Sequence, residues 1–313
     1  GMYWTIAGGT GEFLTVTLSG DGSGVVMSAL DGIDCGLDCT EEYLSGSSVT
    51  LTASADSGSI FVGWSGACSG TGTCELTMDA AKSVTAQFDP FPAATSNWFT
   101  TANVLNDAIG SATLTQNSAI NTVYSDLING LYVARFDGSG SNNGSTNDGT
   151  PPNGDHPYLY RGGTLLGSNN GTVSFWIKAA VDTTYGYGLF YERGGSYGHL
   201  QVARWSDDLM TVKYGINDIN TAQATVTGVE SWTHVVAVHS NNELRFYLNG
   251  SLVATGSAGS PGSASATIIG CTRDGGTYFV GDMHDYRLWV GTVLTDQQIE
   301  ALYNEKAALL QSQ

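Results

Sequence analysis

The sequence predicts an all-β chain in two parts. Three patterns carry that expectation: short segments in which apolar and polar residues alternate, Gly- and Ser-rich turns between them, and a single helix-start signal close to the C-terminus. In the clearest segment Val49, Leu51 and Ala53 alternate with Thr50 and Thr52, which puts one side of a strand on a core and the other in water. With 313 residues, 41% of them hydrophobic and 10% aromatic, the chain has length enough for about two domains with cores of their own.

The first part reads as strands FLTVTLSG, GVVMSA, SVTLTA, SIFVGW, CELTM and KSVTAQF. Four of the five cysteines fall here in two local pairs, Cys35 with Cys39 and Cys68 with Cys74. Zinc is the rival reading. However, neither pair has the C-x2-C spacing of a zinc knuckle and no histidine is near, so disulfides are expected. The spacing favours 35 with 39 and 68 with 74, although sequence alone does not settle connectivity. Such loops stabilise a small domain by roughly 2 kcal/mol each in the chain-entropy model. Cys271, left over, reads as a small buried hydrophobe. Asp89-Pro90-Phe91-Pro92 then interrupts the pattern, because two prolines remove ladder donors and favour an extended connection. The expected division is a unit at 1–89, a Pro-rich connection at 90–94 and a second unit at 95–313.

In the second unit the strands lengthen and become more aromatic. GTVSFWIKAA alternates Val173, Phe175 and Ile177 with Ser174, Trp176 and Lys178. WTHVVAVHS is followed by ELRFYLNGSLVAT, where Asn249-Gly250 signals a type I′ hairpin. DMHDYRLWV leads into Thr295-Asp296-Gln297-Gln298, a capping box that opens a short helix with Ile299, Leu302 and Tyr303 on one face. Long antiparallel strands with one late helix point to a β-sandwich. The polar run GSGSNNGSTNDGTPPNGDHP, 138–157, lies between YVARFD and YLYRGG and is therefore a loop inside this unit, not an interdomain linker.

Charge narrows the partners. Eleven Lys and Arg stand against 29 Asp and Glu, a net charge of −18. That balance repels phosphate backbones and anionic headgroups, so neither nucleic acid nor a membrane surface is an expected partner. No apolar run reaches the roughly 18 to 20 residues that span a bilayer, and GMYWTIAGG lacks the features of a signal peptide. Paired cysteines and abundant Asp suit an extracellular or cell-surface setting with millimolar Ca2+. The chain is read as a piece of a longer exported protein whose export signal and anchor lie elsewhere.

Two family resemblances follow from these segments. The order "GSGVV", "GIDCGLDC", "GSSVTLTA", "FVGWSGACSGTGTC", "MDAAKSVTAQF" resembles the cysteine-containing bacterial surface repeat related to internalin B-repeats, which implies a small β-rich spacer module. The pieces "VARFDGSG", "GTVSFWIKA", "WTHVVAVHSNNELRFYLNGSLVATG" and "IIGCTRDGGTYFVGDMHDYRLWVGTVLTDQQIEALY" resemble the laminin-G-like branch of the concanavalin A-like lectin and glucanase fold. That resemblance implies a jelly-roll sandwich, a rim Ca2+ site and binding of a glycan or an extracellular protein ligand. The chain departs from the family at His284-Asp285, where the closing strand commonly carries two acidic residues.

The fold also hosts glycosidases. Its retaining glucanases carry a Glu-x-Asp-x-Glu strand that sets two carboxylates about 5 to 5.5 Å apart. No such strand is present: Glu192, Glu230 and Glu243 stand alone in YERGG, VESW and NNELR. His-Glu-x-x-His and Gly-x4-Gly-Lys are likewise missing from the sequence. Ser54-Ala55-Asp56-Ser57-Gly58 imitates the start of a sialidase Asp-box, but it falls in the repeat module and reads as chance. His234 and His239 lie in a strand and read as structural, whereas His156 and His199 read as exposed.

Binding signals are stronger. Sugar C–H surfaces favour aromatic faces, and sugar hydroxyls favour carboxylates and amides. TTYGYGLFYERGGSYGHLQVARWSDD offers Tyr185, Tyr187, Tyr197, His199, Trp205, Asp207 and Asp208 as ligand-binding candidates, with Trp205 to Asp208 foremost; the other reading is that several of them simply cover the sheet, since strands favour aromatics. An EF-hand starting at Asp137 fails, because its sixth position is Asn142 instead of Gly and its twelfth is Asp148 instead of Glu. Two readings of the loop stay open: a looser Ca2+ site drawing on Asp137, Asp148 or Asp155, with Asp285 joining from the closing strand, and a solvated, mobile loop that holds no metal. The sequence thus points to a non-catalytic binding or adhesion module. The readings set against it are a polysaccharide-active hydrolase or lyase with an unrecognised site and a purely structural stalk.

Overall fold

A computed structural model gives the protein's architecture and describes residues 11–29, 32–100, 106–112, 114–116, 123–128, 130–136, 158–167, 170–180, 187–193, 200–204, 209–214, 221–226, 229–258, 264, 266–271 and 279–311. The chain divides into two compact units, Gly1–Pro92 and Ala93–Gln313.

The first unit holds β1 (Gly11–Ser19), β2 (Gly24–Ser28), β3 (Asp34–Cys35), β4 (Thr40–Leu44), β5 (Ser48–Ala55), β6 (Ser59–Gly66), β7 (Cys74–Thr77) and β8 (Lys82–Pro90). They form two four-stranded sheets, β4-β1-β8-β6 and β3-β2-β5-β7, with β1 and β8 parallel and the remaining pairs antiparallel. Leu14, Val16, Val26, Val49, Leu51, Val84, Ala86 and Phe88 fill the space between them, and the alternation that marks each segment supplies this inward set. Cys35 is bonded to Cys39 and Cys68 to Cys74. The second bridge works together with Trp64, whose indole N–H donates to the Gly72 carbonyl at 2.6 Å, so the turn between β6 and β7 is held at two points. The division between the units after Pro92 falls inside the expected connection at 90–94, although β8 runs on through Asp89 and Pro90. Both residues still belong to β8, opposite Ile60 and Ser59, and the donor missing from Pro90 costs little at a strand's last position.

The second unit holds β9 (Ser96–Trp98), β10 (Thr115–Gln116), β11 (Val123–Ile128), β12 (Leu131–Phe136), β13 (Leu159–Gly162), β14 (Gly171–Ala179), β15 (Tyr187–Arg193), β16 (Leu200–Arg204), β17 (Leu209–Tyr214), β18 (Thr221–Thr225), β19 (Thr233–Ser240), β20 (Glu243–Leu248), β21 (Ser251–Ser257), β22 (Ala266–Ile269), β23 (Gly281–Val290) and helix α1 (Asp296–Leu310). A seven-stranded sheet, β10-β13-β22-β15-β16-β17-β18, faces an eight-stranded sheet, β11-β12-β23-β14-β19-β20-β21, with β9 added beside β23. This is the sandwich the sequence predicts. Its core includes Phe175 stacked on Tyr286 at 4.7 Å, together with Phe190, Phe246, Trp98 and Phe99.

Two local signals hold to the residue. Asn249 and Gly250 both have positive φ, 48° and 79°, as a type I′ turn requires. Thr295 caps α1 through Gln298 N–H, and the Gln298 side chain reaches back to the Thr295 N–H. The helix lies against the outer face of the eight-stranded sheet, where Trp176 stacks on Tyr303 at 5.6 Å and packs with Val133, Trp232 and Leu310. As a result β14 is buried on both faces in spite of its alternating sequence.

Candidate ligand-binding rim

Antiparallel register brings several strand ends together. The end of β12 and the start of β23 meet at Phe136 and Gly281, and the end of β14 meets the same Gly281 through Ala179. In the other sheet the start of β15 at Tyr187 lies opposite Arg204, the end of β16, and the start of β17 lies opposite the end of β18. These described strand ends, which border 137–157, 181–186, 205–208 and 272–278 in sequence, gather at one rim of the sandwich. Close packing joins the sheets there. The Phe136 and Phe279 rings meet edge to face at 5.6 Å, and Phe279 N–H donates to the Gly270 carbonyl at 2.8 Å. Gly281 has φ 141°, and a Cβ on it would come within 2.2 Å of the Lys178 carbonyl oxygen, so glycine is needed for the strands to approach this closely.

A cavity of about 360 Å3 opens at this rim, lined by Arg135, Phe136, Lys178, Ala179, Ala180, Val280, Gly281 and Asp282. Three of these form one row across adjacent strands, with Arg135 and Lys178 on either side of Asp282. Arg135 grips Asp282 with both arms of its guanidinium: Nε donates to Oδ1 at 2.6 Å and Nη2 to Oδ2 at 2.9 Å. Asp282 is 8% exposed, and no ion pair of Lys178 occurs among the described residues.

Farther along β23 the charges are closed in on themselves. Asp285 occupies a bulge at φ 49°, where two β23 residues oppose Phe175, a conformation that Asp tolerates better than most residues. Its Oδ1 accepts from Asn97 Nδ2 at 3.2 Å and from Arg287 Nε at 2.7 Å, and its Oδ2 lies 2.6 Å from Arg287 Nη2. The other side of Arg287 meets Glu305 of α1 at 3.0 Å through both amino groups. Burial opposes the charge on Arg287, but the two carboxylates outweigh it and raise the guanidinium pKa. Burial also opposes ionisation of Glu305, and its bonds to Arg287 prevail and lower the carboxyl pKa. Asp285 is thus held on both oxygens by Arg287 and Asn97.

His284, which replaces the expected second acid, is 2% exposed. Its Nδ1 donates to the carbonyls of Tyr132 at 2.7 Å and Phe99 at 3.1 Å. Burial lowers its pKa and keeps it neutral, despite the opposing pull of Asp285. His234 is buried against Trp176, shares a 2.8 Å hydrogen bond with Ser174 Oγ, and is pushed down to about 3 by burial, with Arg287 adding to the shift. His239 stacks on Tyr214 inside the sandwich. These three histidines are structural, as the sequence suggests for His234 and His239. Cys271 is fully buried and outside both disulfides.

Most sequence-derived site residues, namely Asp137, Asp148, Asp155, Tyr185, Tyr197, His199, Trp205, Asp207 and Asp208, lie outside the described residues, and of Tyr187 only the backbone is described. The strand ends still divide them. Those flanking 137–157, 181–186 and 205–208 belong to the cavity rim, whereas Arg193 and Leu200, which flank 194–199, lie at the opposite end. Within TTYGYGLFYERGGSYGHLQVARWSDD the described residues are the paired antiparallel strands β15 and β16. Among the described residues no three His, Cys, Asp or Glu side chains cluster as metal ligands.

Sequence reading missed two sites. Lys178 looks like an ordinary outward position in GTVSFWIKAA, and nothing local marks its neighbours on β23. Glu192, solitary in YERGG, is fully buried: Oε1 accepts from Leu165 and Leu166 N–H at 2.6 and 2.5 Å, and Oε2 accepts from Gly167 N–H at 2.7 Å. It anchors the turn before β14.

Comparison with known proteins agrees with this architecture. Residues 152–300 match the concanavalin A-like lectin/glucanases superfamily and residues 14–92 the divergent InlB B-repeat domain. The adhesion G-protein coupled receptor V1 of Danio rerio is 29% identical over 153 residues, which cover 44% of this chain and 2% of the receptor. Among solved structures, the binding domain of botulinum neurotoxin serotype G superposes with a TM-score of 0.51 at 12% identity, covering 69% of this chain and 52% of that one. That of serotype D gives 0.50 at 14% identity, covering 68% and 52%. These likenesses are of fold, and the chain spans about half the length of those domains. The two matches divide the chain as the fold does: the divergent InlB B-repeat model falls on the first unit, and the concanavalin A-like lectin/glucanases model on the greater part of the sandwich.

Proposed function

We propose that the chain is a non-catalytic binding module of an extracellular or surface-attached protein, in which the disulfide-bonded repeat is a spacer and the sandwich recognises a glycan or a protein ligand at its rim. The observation that carries this reading is the 360 Å3 cavity at the strand ends around Gly281, with Arg135, Lys178 and Asp282 in its wall. Its size and mixed lining match a small-ligand site, and rims of rigid sandwiches are where loops usually gather for recognition. The segment similar to an adhesion receptor is in keeping with that role. Two local disulfides support an oxidising compartment, and no helix is long and apolar enough to cross a membrane.

Calcium enters the proposal through Asp137, Asp148 and Asp155 with loop carbonyls, because the bonds of Asp285 to Arg287 and Asn97 favour a structural role for that carboxylate. A glycan array probed with and without EGTA tests the reading, alongside an extracellular-protein array and melting curves with added Ca2+. The expected result is binding to a restricted set of ligands, with Ca2+ raising the melting temperature of the sandwich. Lack of binding on both arrays would overturn the recognition reading, and an unchanged melting temperature would overturn the calcium reading. Turnover of a polysaccharide by the isolated chain would replace both with an enzyme.

A further inference from the structure

Carboxylates outnumber cationic side chains 29 to 11 in this chain, so a cation without a partner needs a reason. Lys82 pairs with Asp79, Lys306 with Glu305, Arg245 with Asp296, Arg135 with Asp282, and Arg287 with Asp285 and Glu305. Lys178 is half-buried and stands beside Asp282 in the strand register, yet it has no ion pair among the described residues. The carboxylate that would neutralise it is already held at both oxygens by Arg135 from the opposite side. Lys178 therefore brings a cation with no ion pair among the described residues to a cavity on a chain of net charge −18.

The rest of the wall completes the chemistry. An ionised carboxylate has about four lone-pair directions, so a two-pronged arginine leaves about two on Asp282 for hydroxyl donors. Ala179, Ala180 and Val280 add a small apolar surface. One cation for an anion, a fixed acceptor for hydroxyls and an apolar strip for C–H groups are the requirements of an acidic sugar. An acidic peptide has no cluster of hydroxyls to use Asp282.

Resting on the reading of the rim as a glycan site, we infer that this cavity is a subsite for a carboxylate-bearing sugar of the uronic acid class, with Lys178 taking the carboxylate and Asp282 accepting from ring hydroxyls. The surrounding negative field sets a limit on the ligand. It repels densely sulfated polymers and admits glycans whose acidic residues are isolated or terminal.

Isothermal titration and saturation-transfer NMR on the full chain would compare methyl glucuronide, methyl glucoside, heparin and a short oligoglutamate. The expected ranking places methyl glucuronide first. Its affinity should drop about tenfold in K178Q, be largely kept in K178R and weaken as salt rises, while both variants melt like the parent. Equal affinity for methyl glucuronide and methyl glucoside, or no loss in K178Q, would overturn the inference, as would tighter binding of heparin. Preference for oligoglutamate would overturn it too and assign the cavity to an acidic protein ligand. Glycan-array binding that persists in K178Q without a preference for acidic sugars would leave the lectin-like reading standing and remove this subsite. Loss of glycan and protein binding everywhere would instead bring down the reading on which it rests.

Discussion

Arg287 and Lys178 occupy one face of the same sheet in opposite circumstances. Arg287 sits under α1, with Asp285 on one side and Glu305 on the other, and every arm of its guanidinium that reaches an acid does so within about 3 Å. Lys178 lies beyond the helix, where the sheet opens into the rim cavity and its neighbouring carboxylate is committed to Arg135. Where the fold covers the sheet, charge is neutralised internally and becomes structure. Where the cover ends, one charge is left over and becomes available to a ligand. The difference follows from packing and not from residue type, since both side chains are cations on outward-facing strand positions.

The largest expected effect lies at the covered end. R287M removes the cation between Asp285, which is 3% exposed, and Glu305, and so leaves a buried carboxylate with only Asn97 for support. Breaking a buried pair on one side costs about 3 to 5 kcal/mol. Denaturant unfolding of the sandwich should show a loss of that order, most of it from Asp285 because Glu305 is partly solvated. A loss below about 1 kcal/mol would mean that the covered end is no more dependent on its charges than the rim.

The same logic extends to the facing sheet. E192Q leaves the N–H groups of Leu166 and Gly167 to share one neutral acceptor, while Leu165 N–H keeps Thr267 Oγ1, and turns an amide donor toward them. Unsatisfied buried donors cost roughly 1 to 3 kcal/mol each, partly relieved by rearrangement of the turn. A destabilisation of about 2 kcal/mol is expected, with proteolysis near 163–167 as a second readout.

These two residues also show where reading along the chain stops. The Asn249-Gly250 hairpin, the Thr295 cap and both disulfide pairs are legible because each depends on groups a few residues apart. Glu192 and Lys178 look unremarkable because their meaning depends on which strands become neighbours. Glu192 finds a turn that precedes it by many residues, and Lys178 finds Asp282 only after β14 and β23 pair. The family resemblance supplies the sandwich but not this pairing of charges. It also suggests a metal ligand at Asp285, where the bulge and Arg287 produce a salt bridge instead.

Histidine offers a finer test of the covered end. His234 and His284 are neutral in the fold because burial pushes both pKa values down, His234 to about 3. The unfolded chain takes up their protons near pH 6.5, so it binds more protons than the folded state below that pH, and stability falls as the solution is acidified. The contribution is fully present above about pH 6.5 and is lost progressively toward pH 3 for His234, with a slope of at most about 1.4 kcal/mol per pH unit for each histidine. Melting curves between pH 7 and 4 should show that decline, and H234N should flatten it. An unchanged slope in H234N would place the acid sensitivity elsewhere.

The smallest effect belongs to Lys178, and its smallness is what separates the two cations. K178Q removes a charge that no described carboxylate uses, so no buried partner is stranded and no cavity of consequence is created in the core. Surface-type substitutions of this kind stay within about 0.5 kcal/mol. Relief of the repulsion between Lys178 and Arg135 across Asp282 could even make the variant slightly more stable, by an amount that added salt would shrink. Unfolding of K178Q at low and high ionic strength measures both. A loss above about 1 kcal/mol would show that Lys178 is bound into the fold as Arg287 is, and that the leftover charge at the rim is already spent on structure.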